Sequence, residues 1–129
     1  MKALLICLSL ITFHAWAGTL EKVQAIKAPK EWKEVKSAYS TLEDAIKELE
    51  KKEDEKLLIA ILQGYAKVSK KEKSLGGLES LAPFYKKNSS KVEALAKKHL
   101  SKDEAEMVLF GLKEMSLNLG KGNDPSSKD

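Results

Sequence analysis

The stretch EWKEVKSAYSTLEDAIKELEKK, residues 31–52, carries the pattern that decides the fold. Its apolar residues recur at alternating steps of three and four, at Trp32, Val35, Tyr39, Leu42, Ile46 and Leu49. Such steps place side chains along one face of a helix, and glutamate and lysine fill the other faces. We predict a first long helix over residues 30–51, with Pro29 in first-turn position. Its narrow apolar seam is typical of helices in bundles and coiled coils.

The seam stops after residue 49, because the next heptad positions, Glu53 and Lys56, are charged. Apolar residues resume densely over residues 57–68 and predict a second helix with a wider buried face. No glycine or proline lies in residues 50–56, so one continuous helix is the alternative. The phase jump favours a tight turn in which Asp54 caps the second helix.

Residues that stop and start helices divide the second half of the chain. Gly76 and Gly77 predict the end of the second helix. Ser80 is expected to cap a short third helix that holds Pro83 in its first turn, where proline is tolerated. Asn88 is expected to stop that helix in a left-handed conformation.

Two capping boxes, in which a serine and a glutamate three residues later cap a helix start reciprocally, follow in the sequence. They are Ser90 with Glu93 and Ser101 with Glu104. These boxes predict a fourth and a fifth helix, and one kinked helix is the alternative. Gly120 ends the last helix, and residues 121–129, which contain no apolar residue, are predicted to be a disordered tail.

No alternating apolar and polar run indicates a strand beyond residue 17. We therefore predict an all-α fold, a small antiparallel bundle of four to five helices in a single domain over residues 30–120. The lead-in segment 18–29 adds a brief amphipathic turn on Leu20, Val23 and Ile26. A short superhelix of helical hairpins is the alternative, although no fixed repeat recurs along the chain.

Residues 1–17 have the order of a signal peptide. Lys2 supplies a positive charge, residues 3–13 are almost entirely apolar, and Ala15 and Ala17 are the small residues that a signal peptidase reads. The apolar run is shorter than the roughly 20 residues of a membrane-spanning helix. We predict cleavage after Ala17 and export, to the periplasm if the source is Gram-negative and otherwise by secretion.

The charge distribution points to a class of partner. All 23 basic residues are lysines, which lack the bidentate geometry by which arginine reads phosphate and guanine. Together with the export signal, this argues against nucleic-acid binding. Residues 67–102 hold ten lysines and three acids, a net charge of +7, whereas the segments 18–66 and 103–129 carry −1 and −3. Such a basic central surface fits an acidic protein or an anionic surface, and a solvated face without a partner is the alternative.

The sequence contains no recognisable catalytic arrangement. Cys7, the only cysteine, lies in the predicted signal peptide, so the mature chain has no thiol. His99 is the only mature histidine, and it stands at a helix end without a second metal ligand or a nucleophile nearby in sequence. We predict no enzymatic activity, no metal and no cofactor. A bundle that binds a small ligand through His99 or a methionine is the alternative.

Two aromatic residues and five lysines are the candidate partner contacts. Trp32 begins the narrow seam at a helix end and is expected to be partly exposed, where it can anchor a partner. Tyr85 opens the basic stretch. The candidate lysines are Lys86, Lys87, Lys91, Lys97 and Lys98. Most other aromatics, with Phe110 widening the last seam, and both Met107 and Met115 are expected in the core.

These observations favour an exported, non-enzymatic protein-interaction module. Binding to anionic membrane surfaces through the basic stretch is a further alternative. The narrow seam of the first helix also supports self-association into a homo-oligomer. Residues 88–90, Asn-Ser-Ser, match a glycosylation sequon, which has meaning only in a eukaryotic source.

Overall fold

The computed structural model describes residues 18–71 and 76–119 of the 129-residue chain. Every regular element in these two ranges is helical and the elements pack as a small bundle, which confirms the all-α prediction. The elements are α1 (Gly18–Gln24), α2 (Trp32–Lys51), α3 (Glu55–Val68), a 3₁₀ turn (Gly76–Ser80), α4 (Ala82–Lys87), α5 (Ser89–His99) and α6 (Lys102–Asn118). The predicted signal peptide and the predicted C-terminal tail lie outside the described residues.

Helix α3 is deeply buried and joins two groups of helices. Its residues Leu58, Ile61, Leu62 and Tyr65 have no solvent-accessible surface. Helices α1 and α2 pack on α3 and on each other, whereas α5 and α6 pack on α3 and on each other, with α4 against both. This packing explains the dense apolar run over 57–68, since a helix with neighbours on several sides needs apolar residues on several faces.

The lead-in segment belongs to the bundle. Val23 is fully buried, and Leu20 and Ile26 pack against the core, as their spacing predicts. The Thr19 Oγ1 hydroxyl donates a hydrogen bond to Glu48 Oε1 at 2.7 Å and so ties α1 to α2. The hydrophobic core therefore extends to α1, ahead of the predicted domain start at residue 30.

The predicted turn between α2 and α3 is confirmed. Helix α2 ends at Lys51, and α3 begins at Glu55. The Asp54 side chain accepts a hydrogen bond from the Lys56 backbone N–H at 3.0 Å, which satisfies a donor that the first helical turn leaves unpaired.

The start of α2 differs from the prediction. The helix begins at Trp32, so Pro29 is a buried residue of the preceding segment and does not occupy the first turn. The backbone N–H of Lys30 donates to Glu34 Oε2 at 2.6 Å, and the α2 N-cap, Glu31, makes no side-chain cap bond. A glutamate that reaches back to the chain before the helix thus holds this end.

The predicted end of α3 at the glycine pair is wrong. The helix ends at Val68, and the Ser69 hydroxyl donates to the Ala66 carbonyl at 2.6 Å. Both glycines lie in the separate 3₁₀ turn, where the Tyr65 hydroxyl donates to the Gly77 carbonyl at 2.8 Å. Gly77 therefore serves close contacts with Tyr39 of α2 and Tyr65 of α3, and neither glycine terminates α3.

Three predictions around α4 and α5 are also wrong. Leu81, not Ser80, is the N-cap of α4. Asn88 ends α4 as predicted, but its φ of −131° lies outside the left-handed region. Helix α5 begins at Ser89 without a capping box, because the Glu93 carboxylate accepts a hydrogen bond from Tyr85 instead of capping with Ser90.

The second capping box is confirmed, and it separates α5 from α6. The Glu104 N–H donates to Ser101 Oγ at 3.2 Å, and the Ser101 N–H donates to Glu104 Oε1 at 3.1 Å. Leu100 has extended backbone angles between the helices. The chain therefore forms the two predicted helices here, with a defined start for α6, and not the single kinked helix of the alternative.

We expect Ser101→Ala to destabilise the protein by about 1 kcal/mol, because it removes the acceptor for a helix N-terminal donor. Urea unfolding followed by circular dichroism measures this change. Ser90→Ala is the matched control, since Ser90 is exposed and belongs to a box that does not form. Equal losses in the two variants would contradict the capping assignment.

Gly77→Ala is expected to destabilise the protein by about 1–3 kcal/mol through overpacking. A methyl group at position 77 would lie 2.6 Å from carbons of the Tyr39 ring, which packs against the core and stands 6.4 Å, centroid to centroid, from the Tyr65 ring. Gly18→Ala is the control, because nothing lies within 4 Å of its added methyl group. Thermal unfolding compares the variants, and unchanged stability of Gly77→Ala would show that the turn packs less closely.

Candidate functional site

Four of the five candidate lysines stand exposed at helix ends. Lys86 and Lys87 occupy the last turn of α4, and Lys97 and Lys98 occupy the last turn of α5. Positive charge is favourable there, because the helix dipole leaves partial negative charge at the C-terminus. Within the described ranges, no carboxylate forms an ion pair with any of the four.

Lys91 has a different environment. Its Nζ lies 3.0 Å from Glu53 Oε1, so it joins α5 to the turn between α2 and α3. Both side chains remain 40–48% exposed, and such pairs contribute little to stability. The ion pair nevertheless engages Lys91 within the chain, which separates it from the other four lysines.

Tyr85 is a core residue, which contradicts its prediction as an exposed contact. It is 4% exposed, and its hydroxyl donates to Glu93 Oε1 at 2.8 Å. Lys113 Nζ lies 3.8 Å from the same oxygen and adds a link to α6. Burial, reinforced by the Glu93 carboxylate, raises the pKa of Tyr85 to about 12. This cluster therefore holds α4, α5 and α6 together.

Trp32 is 52% exposed at the first residue of α2, as predicted. The remaining seam of α2 is not available to a partner, because Val35, Leu42, Ile46 and Leu49 are buried in the bundle. The part of the seam predicted to support self-association therefore packs inside the molecule.

The outer face of α6 carries Met107 and Phe110, which were expected in the core, together with Leu117. Phe110 is 67% exposed, Leu117 68% and Met107 38%, whereas Met115 packs against the core as predicted. A second series of positions, spaced four and three residues apart, could have indicated this outer face. It consists of positions 103, 107, 110, 114 and 117. It was missed because Phe110 directly follows Leu109 of the buried series.

An open groove of about 520 Å³ lies between the lead-in segment and α2. Its apolar lining comes from Ala25, Ile26, Ala28 and Ala38, and its polar lining from Lys22, Lys27, Lys30, Glu34, Ser37 and Thr41. The groove is within the size range of small-molecule sites. It could not be read from one periodic pattern, because two helices and the segment that connects them form it.

His99 is exposed at the end of α5, away from the residues that line the groove. In residues 18–71 and 76–119, no three or more histidine, cysteine, aspartate and glutamate side chains converge as metal ligands would. The Asn88 side-chain amide donates to the Phe84 carbonyl at 3.1 Å, so the sequon asparagine is engaged with α4.

Among the helices of the described part of the chain, none is both long enough and apolar enough to cross a bilayer. A scan against protein-family models found no match to the sequence, and searches of curated proteins and of solved structures found none either.

We expect Glu93→Gln to lower the pKa of Tyr85 from about 12 towards the ordinary tyrosine value, since it removes the charge beside the hydroxyl. A pH titration of the tyrosine signals by NMR, assigned with Tyr85→Phe, measures the shift. Glu106→Gln on the exposed face of α6 is the control. An unchanged Tyr85 titration in Glu93→Gln would contradict the contact.

The same contact has a pH-dependent effect on stability. Because the folded pKa is raised, its contribution to stability is complete below about pH 10 and is lost as the pH rises towards 12. Glu93→Gln should therefore lose less stability at alkaline pH than the parent protein does. Urea unfolding at several alkaline pH values measures it.

Proposed function

We propose that this chain is an exported, non-enzymatic interaction module that binds an acidic protein through a basic surface. The observation that carries the proposal is the set of four exposed lysines without ion pairs in the described ranges, Lys86, Lys87, Lys97 and Lys98. Exposed charges of one sign attract an oppositely charged partner and speed its association.

An acidic protein fits these lysines better than a bilayer does. A helix that lies in a membrane interface needs apolar residues on the exposed side, next to its lysines. On α4 and α5, by contrast, Phe84, Tyr85, Val92 and Leu95 are buried in the bundle. These helices therefore expose lysines but do not expose the buried apolar side chains that would insert into a bilayer.

Export rests on the order of residues 1–17 alone, which lie outside the described residues. The ligand-binding alternative based on His99 loses support, because His99 is exposed and does not line the groove.

The proposal is tested by binding to poly-glutamate, as an acidic polypeptide, measured by calorimetry at low and physiological salt. We expect binding that weakens with salt and is reduced at least tenfold when the four lysines are changed together to glutamate. The matched control changes Lys33, Lys36, Lys47 and Lys51 of α2, which alters net charge equally. Circular dichroism verifies that both variants keep their helicity.

Three results would oppose the proposal. If the protein does not bind poly-glutamate, the proposal is wrong. If the α2 control loses as much binding as the four-lysine variant, only net charge matters. Binding to phosphatidylglycerol vesicles without binding to poly-glutamate supports the membrane alternative instead.

A further inference from the structure

Helix α6 is apolar on two opposite faces. Its inner face, with Val108 and Leu112, has no accessible surface and packs in the bundle. Its outer face forms what we call the α6 ridge: the exposed Met107, Phe110 and Leu117. A helix that borders solvent normally has one apolar face, and exposed apolar clusters mark interaction sites.

Acidic residues accompany the α6 ridge. Asp103 and Glu114 lie on the same series of positions, and Glu106 lies beside it, all three exposed. Helix α6 has two lysines: Lys102 adjoins Asp103 at the helix start, and Lys113 lies 3.8 Å from Glu93 of the same molecule. The ridge therefore presents apolar side chains with negative charge around them.

The groove has the complementary chemistry. Its lining includes three lysines, Lys22, Lys27 and Lys30, and a single carboxylate, that of Glu34. That carboxylate already accepts the Lys30 backbone N–H, which lowers its pKa. The groove thus combines apolar residues, which we call its walls, with three lysines, which we call its rim.

One molecule cannot join its own ridge to its own groove. The groove is built from α1, residues 25–30 and α2, whereas α6 packs on α3, α4, α5 and the 3₁₀ turn. The two features belong to the two helix groups that α3 separates. Among the described residues, the α6 ridge of the same molecule therefore cannot fill the groove.

We infer that the groove of one molecule receives the α6 ridge of a second copy. Phe110 and Leu117 enter between the apolar walls, and Asp103, Glu106 and Glu114 approach the lysines of the rim. The contact joins two different surfaces, so it is head-to-tail and either closes into a ring or extends into a chain. It uses none of the four lysines of the proposed function, and the two inferences stand or fall separately.

Two variants test the inference by sedimentation of the purified protein over a range of concentrations and at two salt concentrations. The ridge variant is Phe110→Ser with Leu117→Ser, and the groove variant is Lys22→Glu with Lys27→Glu. We expect the parent protein to associate with rising concentration, less strongly at high salt, and each variant alone to associate at least tenfold more weakly. Lys47→Glu with Lys51→Glu is the charge-matched control, outside the groove.

Mixing the variants decides the geometry. The ridge variant keeps a groove and the groove variant keeps a ridge, so an equimolar mixture should form dimers and nothing larger. A parent protein that stays monomeric at millimolar concentration overturns the inference. So does a groove variant that associates like the parent, because the ridge then pairs with another surface, such as a second ridge.

Discussion

The hydrogen bond from the Tyr65 hydroxyl to the Gly77 carbonyl links the two groups of helices through the 3₁₀ turn. Tyr65 is fully buried in α3, and burial raises its pKa above the ordinary tyrosine value, which keeps the hydroxyl protonated as a donor. The next residue of the turn, Leu78, approaches α6 so closely that a methyl group on Gly111 would lie 2.5 Å from it. Because the turn is held on α3, it adds a second connection between α3 and α6 to their direct packing.

Local patterns predicted the features that depend on neighbours in sequence. The steps of three and four gave α2, and the charged break with Asp54 gave the turn before α3. The box at Ser101 formed as expected, since Glu104 has no competing partner among the described contacts. The box at Ser90 failed because its glutamate bonds to Tyr85, eight residues away, which no capping rule considers.

The candidate surfaces also divide into those that the sequence could predict and those that depend on packing between helices. Exposed lysines could be predicted from composition, because lysine is rarely buried without a partner. Tyr85 could not, because its burial depends on how α4 packs on the rest of the bundle. The groove could not either, since it exists only where the segment after α1 meets α2. Phe110 shows the limit of periodicity: a helix with two apolar faces gives overlapping series, and only packing tells which one is inside.

The exposure of Trp32 gives the molecule a native optical reporter. The sequence has two tryptophans, and the other, Trp16, lies in the predicted signal peptide. In the mature chain all indole fluorescence would therefore come from one side chain, 52% exposed at the start of α2. It stands two residues from both Lys30 and Glu34 of the groove lining, and on a different helix from the lysines of α4 and α5. Its emission and its quenching by aqueous solutes thus report on the start of α2 without any added label.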